Sequence, residues 1–117
     1  MPTLVRPFLA VEILTFGLAA LVHAGFLAHG LEHPQARIAE SVIAAVLLAS
    51  LAGTFIAPAS SRGLGLAGQG FALFGTVVGL FTIALGIGPR TVFDLTLHAG
   101  MVTLLVVGLV LTARARS

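Results

Sequence analysis

Charge most constrains what this chain can become: only ten of its 117 residues are charged, and long apolar segments lie between them. Four such segments stand out, at about 7–30, 34–57, 64–88 and 91–113. Each is longer than the roughly 20 apolar residues that carry a helix across a bilayer. Backbone polar groups in lipid must be satisfied internally, which leaves helices or closed barrels. These segments show no period-two alternation and are twice the length of a barrel strand, so helices are expected.

The connections are short: Leu31-Glu32-His33, then Pro58–Gly63, then Pro89-Arg90. Short loops force neighbouring helices to run antiparallel. The expected fold is therefore all-α, an integral membrane four-helix bundle running up-down-up-down. Residues 1–117 read as a single four-span transmembrane domain with no soluble domain. The first segment has signal-peptide features, with Arg6 ahead of an apolar run and small residues around Val22-His23-Ala24. Glu12 interrupts that run, so the segment is read as a true span.

Composition excludes several classes. Charged residues make up 9% of the chain, against about 25% in soluble domains. Cysteine is absent, which removes disulfides, thiolate metal sites and cysteine nucleophiles. Trp and Tyr are absent too, so the usual aromatic belt at the membrane interface is missing. The isoelectric point near 11.3 comes from arginine without lysine. Those arginines sit singly at or near span ends, where long basic side chains reach the interface. They form no basic run, so nucleic acid is not a partner. The expected partners are the lipid bilayer, other membrane subunits or a second copy in a homodimer.

Arginine also sets the expected orientation. Arg6, Arg62, Arg114 and Arg116 fall on one side, Arg37 and Arg90 on the other. The positive-inside rule then places both termini in the cytoplasm and the protein in the inner membrane. The two hairpins carry a faint parallel repeat, with Pro34 or Pro89 at the turn and Glu40 or Asp94 just inside the descending helix. In span three, Gly75, Gly79 and Gly86, with Thr82, form a small-residue ridge suited to close helix packing.

Ionisable groups inside a membrane are costly, and a functional reading is their default. His23, His29, Glu32, His33, Glu40, Asp94 and His98 all fall toward the outer half. His23 lies seven residues before Gly30, Glu40 six after Pro34 and His98 eight after Arg90. At the helical rise, all three sit roughly 9–12 Å below the outer end. Two histidines and a carboxylate at one level can ligate a divalent metal or relay protons. Two imidazoles facing across a bundle can also hold haem, so cofactors remain open between haem and a divalent metal.

Helical phase brings further groups to the same faces. Glu12, Thr15, Ala19 and His23 recur at steps of three and four. Asp94 lies one turn before His98 and could orient its ring. Arg37, three residues before Glu40, could neutralise it. His29 and His33 are four apart and could make a weak surface metal pair. Glu12 is the proton-coupling candidate, unless Arg6 or Arg114 pairs with it. Gln69 reads as an interhelical hydrogen bonder. A bland reading stands beside each: the buried polar groups can simply glue helices together.

No Ser-His-Asp spacing or phosphate loop supports an enzyme. Gly63-x-Gly65-x-x-Gly68 matches a dinucleotide pattern, but no strand precedes it. A four-span chain of this size with a carboxylate in span one resembles the small multidrug resistance transporters, which exchange protons for cationic drugs through an intramembrane Glu. The correspondence ends at Glu12 and the architecture. The aromatic residues that would surround a cationic drug are absent, and no family is identified. Three readings follow. The first, favoured by base rate, is a non-catalytic accessory or structural subunit of a larger membrane assembly. The second is a metal- or haem-binding protein using His23 and His98. The third is a small proton-coupled transporter or channel.

Overall fold

The computed structural model describes residues 2–88 and 90–115; Pro89 and Arg116, which entered the repeat and orientation arguments, lie outside them. The described residues are helical, with no strand, and form α1 (Pro2–His23), α2 (Pro34–Ile56), α3 (Ser61–Ala84) and α4 (Val92–Arg114). A single 3-10 turn, Pro58–Ser60, joins α2 to α3. Each helix is long and apolar enough to cross a membrane. Sequence neighbours pack side by side, α4 closes against α1, and α2 and α4 sit on opposite corners. The bundle measures 43 × 25 × 15 Å.

One periodicity organises all four helices. On α1 the buried seam runs Val5, Leu9, Glu12, Phe16, Ala19 and His23, in alternating steps of four and three, with Ala20 buried beside it. On α2 they are Glu40, Ile43, Leu47, Ser50 and Thr54. On α4, Met101, Leu105, Gly108 and Thr112 continue the same beat. A repeat averaging 3.5 residues keeps one seam facing its partners along a left-handed bundle. Phe16 takes the seam place expected for Thr15, which instead bonds the carbonyl of Val11 at 2.8 Å.

The seams collect the polar and small residues, while the outward faces carry Leu14, Leu18, Leu48, Phe74, Phe81 and Val107. Unlike a soluble bundle, this one keeps its polar groups beside an apolar core and turns large apolar side chains outward. Between helices in lipid there is little hydrophobic drive, so close contact and interhelical hydrogen bonds hold them together. Gly75 makes such a contact: a Cβ there would lie 2.9 Å from Ile43 Cδ1 of α2. Gly79 does likewise, with His98 Nε2 at 3.0 Å.

The helix ends differ from the sequence-based boundaries. Span one was expected to run to Gly30, but α1 ends at His23. Gly25, at φ +87°, adopts the left-handed conformation that glycine tolerates. Its N–H reaches Val22 O at 3.0 Å and the N–H of Phe26 reaches Leu21 O at 3.1 Å. This is a Schellman cap. Gly86 does the same for α3, at φ +79°, with bonds from Gly86 to Ile83 and from Ile87 to Thr82. Gly86 is thus a helix terminator rather than part of the packing ridge, and a Cβ there would meet nothing within 4 Å.

Arginines finish the C-termini of α2 and α4 and reinforce that of α3. Arg6 bonds the Thr54 carbonyl at 2.7 Å and lies 4.0 Å over the Phe55 ring. Arg62 bonds the Ala113 carbonyl and Arg90 the Ile83 carbonyl. Guanidinium groups at helix C-termini satisfy orphan carbonyls and oppose the negative end of the helix dipole.

Candidate functional site

The site begins with the early stop of α1. Because the helix ends at His23, the segment from Ala24 to His33 folds back over that residue. The N–H of His33 bonds the His23 carbonyl at 2.9 Å. The rings of His33 and Phe93 stand edge-on to His23, at 5.8 and 6.2 Å between centroids. His23 is left 1% exposed.

Both ring nitrogens of His23 meet a carboxylate. Nδ1 lies 2.6 Å from Glu40 Oε1 on α2, and Nε2 lies 2.9 Å from Asp94 Oδ1 on α4. One imidazole therefore ties three helices together. Each contact needs a proton between its two atoms. The group is an imidazolium between two carboxylates, or a neutral imidazole with one acid protonated. Either way the cluster carries one net negative charge in an apolar interior, where charges are weakly screened.

Local sequence positions the two acids. Thr91 is the N-cap of α4: its Oγ1 accepts from the Asp94 N–H at 3.0 Å and donates to Asp94 Oδ2 at 2.6 Å. The spacing Thr91-Val92-Phe93-Asp94 is that of a capping box, with the Asp94 carboxylate returning to the Thr91 hydroxyl instead of its backbone N–H. Glu40 lies one and a half turns into α2, on its seam. Its Oε2 is buried without a partner. Arg37 is exposed and forms no ion pair with it.

Asp94 holds the His98 ring one turn on, as the spacing suggested, but through its backbone carbonyl and not its carboxylate. Its carboxylate goes to His23 and Thr91, while His98 Nδ1 donates to the Asp94 backbone carbonyl at 2.7 Å. His98 Nε2 is left facing Gly79. His23 and His98 thus share Asp94 rather than a common ligand. His29 is exposed in the loop. His33 caps α2, its Nδ1 accepting from the Ala36 N–H at 3.3 Å. The two lie in the loop beyond α1, so the helical spacing that would pair them is not present.

A cavity of about 190 Å³ adjoins the cluster between α2, α3 and α4. Glu40, Asp94, His33, His98, Thr76, Thr82 and Gln35 bring polar groups to a wall that is otherwise apolar, and no arginine lines it. It occupies the gap left where α2 and α4 stand on opposite corners. Among the described residues no three His, Asp or Glu side chains converge as a metal site. Both nitrogens of His23 are engaged, so axial ligation of haem by His23 and His98 gains no geometric support.

Glu12, three turns below His23 on α1, is fully buried, and neither oxygen has a hydrogen-bond partner. The expected pairing with Arg6 or Arg114 is not formed. Arg6 is committed to Thr54, and Arg114 is exposed at the bundle end. Against known protein families, characterised proteins and solved structures, the chain has no match, so the functional reading rests on these residues.

Proposed function

We propose that this chain is a small proton-coupled membrane protein that exchanges protons for a small organic cation at the Glu40–His23–Asp94 cluster. One observation carries the reading: Glu40 keeps an unpartnered oxygen and lines a cavity whose wall has two acids and no arginine. A proton on the cluster and a cation in the cavity would neutralise the same negative charge. Each therefore weakens the binding of the other, which is the linkage an exchanger needs. A cavity of about 150 Å³ takes a benzene-sized molecule, so this one suits a solute slightly larger. The arginine distribution supports an inner-membrane location with both termini in the cytoplasm. Reporters active only in the periplasm, fused to either end, are expected to stay silent; activity at either end would reject that orientation.

Proton exchange is tested in proteoliposomes holding a pH gradient and a pH-sensitive dye. A panel of small organic monocations is added outside. At least one should dissipate the gradient, and His23→Gln and Glu40→Gln should reduce the response to background. If no cation in the panel moves protons, the exchange reading falls.

The accessory-subunit reading draws on a different feature. Thr96, Ala99, Gly100 and Thr103 form a shallow groove of small side chains on the outward face of α4. Small residues let another helix approach closely. The same assay separates the two readings, since an isolated accessory subunit would exchange nothing.

A further inference from the structure

A second group of polar atoms lies in the other half of the bundle, and its donors and acceptors do not balance. Gln69 of α3 is fully buried beside Glu12. Its Nε2 donates to the Gly65 carbonyl at 3.0 Å and to Thr112 Oγ1 at 2.8 Å. Its Oε1 has no donor. The amide cannot be turned around. The Gly65 carbonyl only accepts, so the NH₂ group must face it. Gln69 Oε1 is therefore held toward Glu12. The two meet over Gly108 of α4: a Cβ on that glycine would lie 2.7 Å from Glu12 Oε2 and closer still to Gln69 Oε1.

No charged side chain faces these oxygens. Phe8 packs against the same glycine, and the Thr112 hydroxyl, which accepts from Gln69, has a single O–H to set against three acceptor oxygens. From α2, Thr54 faces this half but holds Arg6. Three acceptor oxygens thus share one apolar spot. An anion there would point at another acceptor and leave both buried without a partner, which is costly in this setting. Hard divalent cations take six or more oxygens, and three do not suffice. One proton does: a Glu12 carboxylic acid donates its O–H to Gln69 Oε1.

We infer that Glu12 and Gln69 form a second proton-binding site, in the opposite membrane half from His23, which holds one exchangeable proton on the Glu12 carboxyl. The proton binds from water and returns to water, with no other bond made or broken. Glu12 and His23 share the α1 seam eleven residues apart, with Phe16 and Ala19 between them. At the helical rise that separation is roughly 16 Å, too far for direct transfer. The site is independent of the cation exchange proposed above, because no residue of the His23 cluster touches it.

Infrared difference spectra of the full chain in lipid nanodiscs, wild type minus Glu12→Gln, provide the test. Glu12→Gln is nearly isosteric, and its amide N–H can still reach Gln69 Oε1, so it should fold. At neutral pH the wild type should show a protonated-carboxyl stretch that the variant lacks. The band should shift in D₂O. In Gln69→Leu it should move to higher frequency, because the hydrogen bond to Oε1 is lost. A carboxylate signal from Glu12 at neutral pH, a band insensitive to D₂O, or one unmoved by Gln69→Leu would each overturn the inference. Gln69→Leu is read on its own spectrum, so the question is decided even if Glu12→Gln fails to fold.

Discussion

His23→Leu is expected to lower the stability of the bundle by about 3–5 kcal/mol, the usual cost of removing one partner from a buried ionic group. The leucine fills the space but supplies no proton to Glu40 or Asp94. Those acids, 5% and 4% exposed, then sit inside the bundle without their shared partner. Thr91 still bonds Asp94, so most of the loss falls on Glu40, whose other oxygen is already unpartnered. Reversible unfolding in bicelles measures the effect. Replacing all three residues together, as His23→Leu, Glu40→Met and Asp94→Leu, should recover most of the loss, because a well-packed apolar set removes the desolvation penalty. An unchanged unfolding midpoint in the single variant would show that the histidine does not hold the acids.

Gly108→Ala is the second large effect, at about 1–3 kcal/mol, typical of a methyl forced into a filled interior. The new Cβ would strike Gln69 Oε1 and Glu12 Oε2 and come within 3.1 Å of Phe8. Gln69 cannot retreat without breaking its bonds to Gly65 and Thr112. Gly100→Ala is the internal control. It lies on the same helix and faces outward, and a Cβ there meets nothing within 4 Å. Alanine's better helix propensity should make that variant neutral or more stable by up to about 1 kcal/mol. Equal losses at both glycines would point to a helix-wide cause instead of the Glu12 contact.

Much of this architecture is legible in the sequence. Four long apolar segments with short polar connections leave few alternatives in lipid, and the helices follow from that constraint alone. Boundaries were less legible, because hydropathy cannot see a glycine cap. Apolar residues continue past His23 as Phe26 and Leu27, yet Gly25 turns the chain out of the helix. That one turn shortens α1 by seven residues and changes the chemistry of its end. His23 stands near the first turn of α4, where Asp94 can reach it. Counting depth from Gly30 put His23 level with His98 instead, and so gave the Asp94 carboxylate to His98, whereas it bonds His23 and only the Asp94 backbone carbonyl reaches His98. The alternative pairing of Glu12 with an arginine fails for another reason. An arginine counts in sequence as a charge seeking a carboxylate, whereas Arg6, Arg62 and Arg90 bond backbone carbonyls at helix C-terminal ends.

The seam of α1 carries a mechanical consequence. Glu12 and His23 ride on one continuous helix, while the groups beside them sit on others: Gln69, next to Glu12, on α3, and the His23 partners Glu40 and Asp94 on α2 and α4. A helix is stiff along its axis, so α1 acts as a strut between two contacts. Sliding or rotating it by a fraction of a turn would shift Glu12 against Gln69 and His23 against its acids in a single stroke. The two polar layers of the bundle are chemically separate, yet both are carried on one rigid part.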